Sequence, residues 1–365
     1  MSETQFQPDW FSKPGDTLHA LMVRRGLSLT SLASEIGCSR AAVKSLLAGT
    51  LDVDDQLAAK LARAVGVTPG FWQRRQSTYQ KALARVAESV PKDRGAAWLE
   101  RFPRSEMASQ GWVAATRRAD AVRSYLAYFG VNSPEAWEKR YADLLTQTAF
   151  RTSRTFESKV GPLSAWLRRG EIEASLVPCA PWDREALRSR LPELRSLAKS
   201  KRPDYFVPRL RSICAAAGVA LVFVPAPPGC RASGAMRFIS PDKAMVIVSF
   251  RYLSDDHFWF TFFHEIGHLI LHRASTFVDG EAVLESDRER QANEFAAGVL
   301  IPLDRRDELA ALSPRTENVV RFAVSIGVSR GIVVGQLQHL GIIGHGKLNS
   351  LKRRYKPEEI SAAFA

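Results

Sequence analysis

Apolar residues recur at helical spacing along most of the chain. From Pro14 to about Arg85 they fall into five short segments. The first runs from Gly15 to Arg25 and stops at Gly26. Ser28 is placed to cap a second, which carries Leu29, Leu32, Ala33 and Ile36 and ends at Gly37. Ser39 opens a third, Arg40 to Leu47, closed by Gly49. Leu57, Leu61 and Val65 mark a fourth, and Pro69-Gly70-Phe71-Trp72 opens the fifth. Residues 86–204 keep the helical period. Helices are expected over Ala114 to Tyr128 and Glu135 to Leu145, with breaks near Pro103, Gly130, Pro134, Gly161-Pro162 and Pro178 to Pro181. Trp98, Trp112, Trp137 and Trp166 read as packing residues of this connecting or regulatory region.

The pattern changes after Pro203 to Pro208, which reads as a linker before a helix ending near Ala217. Val219 to Val224 is a continuous apolar run ended by prolines, as in a buried strand. Gly234 to Ile239 and Ala244 to Phe250 follow, with a turn at Pro241-Asp242. Gly234-Ala235-Met236 is either a substrate-accepting edge or part of a plain hairpin. A helix is expected from Ser254, with Ser254-Asp255-Asp256 as cap and acidic start, core residues Phe258, Phe262, Ile266, Leu269 and Ile270, and Arg273 in its last turn. After Pro302 a helical tail is expected to pack over this region. The fold class is mainly α with a small β-sheet (α+β), divided into residues 1–85, 86–204 and 205–365.

The chemistry is concentrated in His264-Glu265-Ile266-Gly267-His268. One helical turn separates the two histidines, so both imidazoles can serve one metal ion, with Glu265 beside them to take a proton from water. Chance produces this pattern in roughly one chain in a hundred of this length. A third protein ligand is required. His272 lies about 12 Å along the axis from His264, too far to share an ion with both. It fits a residue touching the ligands or substrate, or a helix-end cation. The next helix offers Glu285, Asp287, Glu289 and Glu294. Glu289 borders its apolar face and has a slight lead, although Ser286-x-x-Glu289 also reads as a capping box. Two imidazoles and a carboxylate favour Zn2+, while manganese and iron fit too. His272, Tyr252, Arg231 and Arg237 are candidates for stabilising an oxyanion.

The formal net charge is +13, spread along the chain. That fits a solvated basic surface or a polyanion partner equally well. The four cysteines, Cys38, Cys179, Cys214 and Cys230, lack metal-site spacing and read as reduced thiols. No apolar run reaches membrane-spanning length and no signal pattern opens the chain, so a cytoplasmic protein without a membrane partner is expected.

The second and third N-terminal segments, joined by a Gly-containing turn, suit a helix-turn-helix, though any small helical bundle would share the pattern. In the first case Ser39, Arg40, Ala41, Lys44 and Ser45 would face DNA. The run from Pro14 to Tyr79, through Pro14-Gly15-Asp16-Thr17-Leu18, Leu32-Ala33, Gly49 and Gly70-Phe71-Trp72, resembles the HigA-type branch of XRE helix-turn-helix proteins. That resemblance implies a repressor or antitoxin binding a double-stranded operator as a homodimer.

Phe260 to His272, followed by Glu289 to Pro302, resembles the ImmA/IrrE family of zincin-like metallopeptidases. The likeness implies zinc held by His264, His268 and Glu289, with Glu265 activating water. It also implies that a regulatory protein, a repressor or toxin–antitoxin partner, is cut. Gly298, Val299 and Ile301 depart from the family's usual residues without removing a catalytic group. Together the resemblances imply a DNA-binding regulator carrying its own endopeptidase. The rival is a repressor whose metal domain senses or binds without turnover.

Overall fold

The computed structural model describes residues 12–114, 118–147, 160–249, 251–272 and 282–364. Two compact units emerge: one takes the described residues as far as Asp143 with Val160–Arg168, and the other takes residues 144–147 and the described residues from Arg169 onward.

The first unit opens with Pro14–Arg25 (α1), Leu29–Glu35 (α2), Arg40–Ala48 (α3), Asp55–Val65 (α4) and Pro69–Ser89 (α5). Four of these begin where the sequence supplies an oxygen. The side chains of Ser28, Ser39, Asp54 and Thr68 accept from the backbone of Ser31, Ala42, Leu57 and Phe71, satisfying otherwise orphaned donors. Leu18, Leu32, Val43, Leu61 and Trp72 fill the core. At Gly15 a Cβ would lie 2.3 Å from the Leu47 carbonyl oxygen, so glycine is what lets α1 cross against the end of α3.

Lys92–Glu100 (α6), Arg104–Ser109 (α7), Arg118–Phe129 (α8), Pro134–Gln147 (α9) and Val160–Ser175 (α10) follow. Trp98, Trp112, Trp137 and Trp166 are all buried, as their spacing predicts. Trp98, Phe102, Phe129 and Trp137 meet at ring-centroid distances of 5.0–6.3 Å, an aromatic core worth more than its area alone. Gly161-Pro162 is no break: it lies in the first turn of α10, where proline's missing N–H costs nothing.

The second unit contains Arg184–Ser189 (α11), Leu191–Ser196 (α12) and Pro203–Ala216 (α13). The expected linker at Pro203 to Pro208 is therefore helix. Pro203 stands in the first turn, and the buried stripe Phe206, Val207, Leu210, Ile213 and Cys214 outweighs the disruption by Pro208. Val219–Phe223 (β1), Gly234–Ser240 (β2) and Lys243–Val248 (β3) form a sheet of order β1-β3-β2. β1 runs parallel and β2 antiparallel to the central strand. β2 is thus an edge.

Asp255–Leu271 (α14) is buried along nearly its whole length, the mark of a core helix. Ala282–Leu300 (α15), Arg306–Ala310 (α16), Thr316–Ile326 (α17), Arg330–His339 (α18) and Pro357–Phe364 (α19) complete the unit. As expected, the tail packs over the metal-motif region, α18 lying against α14. Arg273 lies outside the described residues.

The start of α14 departs from expectation. Ser254 makes no side-chain capping bond, and the two aspartates turn inward to anchor the tail. Asp255, 1% exposed, accepts from Ser329 Oγ at 2.7 Å and from the Arg353 amide at 3.0 Å. Asp256 pairs with Lys352 Nζ at 2.6 Å, which also donates to Gln338. Solvated cap residues could not hold the tail in this way. Burial pushes the Asp255 carboxyl up, the Ser329 hydrogen bond pulls it down and the Asp256 charge raises it again, leaving it at about 6. An unfolded aspartate titrates near 3.9. Between those values the folded state holds the proton more tightly, so this group's contribution to stability falls as pH rises. Relative to Asp255→Asn, the wild type should lose about 2–3 kcal/mol between pH 4 and 6.5 in paired denaturant titrations. A flat difference would mean that Asp255 does not titrate there.

Candidate metal centre and DNA-facing helix

His264 and His268 stand one turn apart on α14, 0% and 2% exposed. Their Nε2 atoms are 3.1 Å apart. The Glu289 carboxylate on α15 closes the group, with Oε2 3.3 Å from His264 Nε2 and Oε1 3.1 Å from His268 Nε2. All the donor atoms lie within 4.8 Å of one another, so two imidazole nitrogens and a carboxylate converge on one point. This group could hold a metal ion. Burial works against the Glu289 charge, but hydrogen bonds and charge from His264 and His268 outweigh it and hold the carboxyl at about 2. Its acceptor oxygens therefore stay ionised over the working pH range.

Each imidazole is fixed from behind. His264 Nδ1 is 3.1 Å from Asn293 Oδ1, which requires the proton on Nδ1 and leaves Nε2 to act as ligand. His268 Nδ1 is 3.0 Å from His272 Nδ1, and His272 Nε2 is 3.1 Å from Gln291 Oε1. His272 thus sits behind a candidate ligand. Burial, offset by the Gln291 hydrogen bond and reinforced by His268, lowers its pKa, which favours the neutral ring this chain of contacts needs. Asn293 was hidden in the sequence, but it stands one turn after Glu289 on the same helical face. Gln291 carried no comparable signal.

Two glycines position the group. A Cβ at Gly267 would lie 2.9 Å from Phe295 Cδ1 and 3.4 Å from Ala292 Cα. Its absence lets α15 press onto α14 and bring Glu289 within reach. At Gly234, where β2 begins, a Cβ would lie 2.6 Å from Glu265 Oε1. The sheet edge therefore runs directly against Glu265, which is itself fully buried. The capping-box reading of Ser286-x-x-Glu289 does not hold, because α15 starts at Ala282 and places both positions inside the helix. Glu294 points to solvent and pairs with Arg290 at 2.9 Å. Arg237 pairs with Glu171, and Tyr252 stacks on His257 at 4.4 Å.

In the N-terminal unit Ser39, Arg40 and Ala41 are exposed and Lys44 and Ser45 half-buried, whereas Val43, Leu46 and Leu47 are buried. Ser39 spends one oxygen lone pair on the α3 cap. The α2–turn–α3 pair with this polar outer face forms a helix-turn-helix. The comparison with known families agrees. Residues 15–70 match the family described as helix-turn-helix domain, and residues 218–337 match Peptidase_M78, the IrrE N-terminal-like domain. The chain thus carries a helix-turn-helix match followed by an IrrE N-terminal-like match. No curated protein matches it.

Replacing Asn293 by Leu, or His272 by Phe, should weaken metal binding roughly 10–100-fold in chelator competition, because each frees an imidazole to rotate. Glu294→Ala should leave the affinity unchanged. Equal effects from all three would mean that the imidazoles are not oriented by these contacts.

Proposed function

We propose that this protein is a cytoplasmic DNA-binding regulator carrying a zinc-dependent endopeptidase that cuts a regulatory protein, a repressor or toxin–antitoxin partner. The observation that carries the reading is the convergence of His264, His268 and Glu289 beside a buried Glu265 at the end of an open sheet edge. Zinc bound there supplies a Lewis acid that lowers the pKa of water and polarises a carbonyl. Glu265 takes the proton of the attacking water and delivers it to the leaving amine. His272 and Asn293 hold the imidazole tautomers. An extended peptide adds to β2 antiparallel, its main chain hydrogen-bonded along the edge and its scissile bond opposite Gly234. Gly234 leaves that approach clear of a side chain.

The N-terminal residues form the operator-binding domain, with Ser39, Arg40, Ala41, Lys44 and Ser45 facing double-stranded DNA and a homodimer reading two half-sites. The helices up to about residue 204 connect it to the peptidase domain. Tethering the enzyme to a few genomic sites suits one dedicated substrate better than general proteolysis.

Glu265→Gln should keep metal and DNA binding intact but slow cleavage of the cognate partner by about 10²–10⁴-fold. Wild-type behaviour of that variant would sink the peptidase reading and favour a sensing or binding module. Arg40→Ala with Lys44→Ala should weaken operator binding and reduce the slope of log affinity against log salt by about two. An unchanged slope would remove α3 from the DNA interface.

A further inference from the structure

A narrow pocket opens beside the start of β2, lined by Ser233, Val248, Tyr252, Leu253, His257 and Thr261. It adjoins the metal centre through one glycine. A Cβ at Gly234 would lie 2.6 Å from Thr261 Cγ2 and 2.6 Å from Glu265 Oε1, so one empty position faces both the pocket wall and the carboxylate. The inner volume is about 10 Å³, close to the space of one water molecule. Its outer wall is fixed. The Tyr252 ring, 40% exposed, stacks on His257 with centroids 4.4 Å apart. The Arg251 guanidinium carbon lies 5.3 Å from the centre of the same ring, and Arg251 Nη1 donates to the Arg231 carbonyl at 2.6 Å. Leu253 has φ +49, a left-handed backbone that leucine keeps only where its surroundings enforce it. The tail enforces it. The Tyr355 amide donates to the Leu253 carbonyl at 2.7 Å and the Asp255 amide to the Arg353 carbonyl at 3.0 Å, with Ser254 and Arg354 bridged between them. Anchoring the tail explains how this backbone persists. It does not explain why the turn holds an aromatic ring at the surface, at the mouth of a pocket one helical turn from Glu265.

The strand register determines what reaches this pocket. Ser249 donates its amide to the Ser233 carbonyl at 2.9 Å, so that pair spends its main-chain groups inside the sheet. Gly234, the next residue, therefore turns its own outward. A peptide paired antiparallel to β2 places its earlier residues opposite Met236 and its later ones past Gly234, toward Ser233. The residue paired with Gly234 turns its side chain to the face of the missing Cβ, toward Thr261. With the scissile bond opposite Gly234, the side chain that enters is that of the residue following the bond. We propose that this pocket selects that residue and accepts only a small side chain, alanine or serine, with the Tyr252–His257 pair as the wall that excludes larger ones. The inference rests on the peptidase reading above and names its specificity determinant.

The test uses the zinc-loaded full-length protein and a set of succinyl hydroxamates, which chelate the metal and extend past it as the residues after a cleaved bond do. The probes differ only in their first side chain: none, methyl, hydroxymethyl, isobutyl or benzyl. Affinity is read by calorimetry, so no turnover is required. The methyl and hydroxymethyl probes should bind about tenfold or more tighter than the isobutyl and benzyl ones. In Tyr252→Ala, which removes an exposed ring and leaves the core intact, that ratio should collapse because the benzyl probe gains affinity. The probe without a side chain should bind wild type and variant equally. Tighter binding of isobutyl or benzyl to the wild type, or a preference unchanged in Tyr252→Ala, would overturn the pocket and leave the metal centre standing. If no probe binds, the bare one included, the metal centre and the peptidase reading fail, and the pocket's role with them.

Discussion

The contact between α14 and α15 at Gly267 governs the C-terminal unit. α14 carries two imidazoles and a carboxylate into a core otherwise built from phenylalanine, tryptophan and aliphatic side chains. Buried polar groups are costly unless partnered. Here both nitrogens of His264 and of His268 have partners, and those partners come largely from α15: Glu289, Asn293 and, through His272, Gln291. That supply depends on a close helix crossing, which a side chain at position 267 would wedge apart. The same crossing makes the donor group convergent. Structural satisfaction and metal-binding capacity are two results of one packing event.

The sheet and the tail follow from this constraint. β2 can pass Glu265 because Gly234 has no side chain, and the sheet order leaves that strand at the edge where an extended chain can join it. The tail closes the other end of α14. It is held by Asp255 and Asp256, whose bonds to Ser329, Arg353 and Lys352 replace the solvent that a helix start normally keeps.

What was legible in the sequence had a local cause. Caps at Ser28 and Ser39, the three strands, the tryptophan core and the one-turn spacing of His264 and His268 each depend on residues near in sequence. Glu289 emerged with only a slight lead, because its role depends on how one helix lies on another. Asn293 and Gln291 depend on the same crossing. Gly234-Ala235-Met236 reads as an edge or a plain hairpin, and the approach of Gly234 to Glu265 emerges only when β2 is laid against α14. Pro203 to Pro208 misled because prolines usually mark linkers, whereas a buried apolar stripe fixes this segment as α13. Ser254-Asp255-Asp256 has the composition of a solvated cap, and only the tail, about a hundred residues later in the chain, turns the aspartates inward.

The central claim is that His264, His268 and Glu289 together bind one metal ion. X-ray absorption at the zinc edge of the stoichiometrically loaded protein tests it most directly. The account predicts a first shell of nitrogen and oxygen only, at about 2.0–2.2 Å, with two imidazoles visible in the outer-shell scattering. In Glu289→Ala, one oxygen should be replaced by solvent or the loading lost. Sulfur scattering near 2.3 Å would instead place the metal on the cysteines. That result, or a first shell unchanged in Glu289→Ala, would contradict the account.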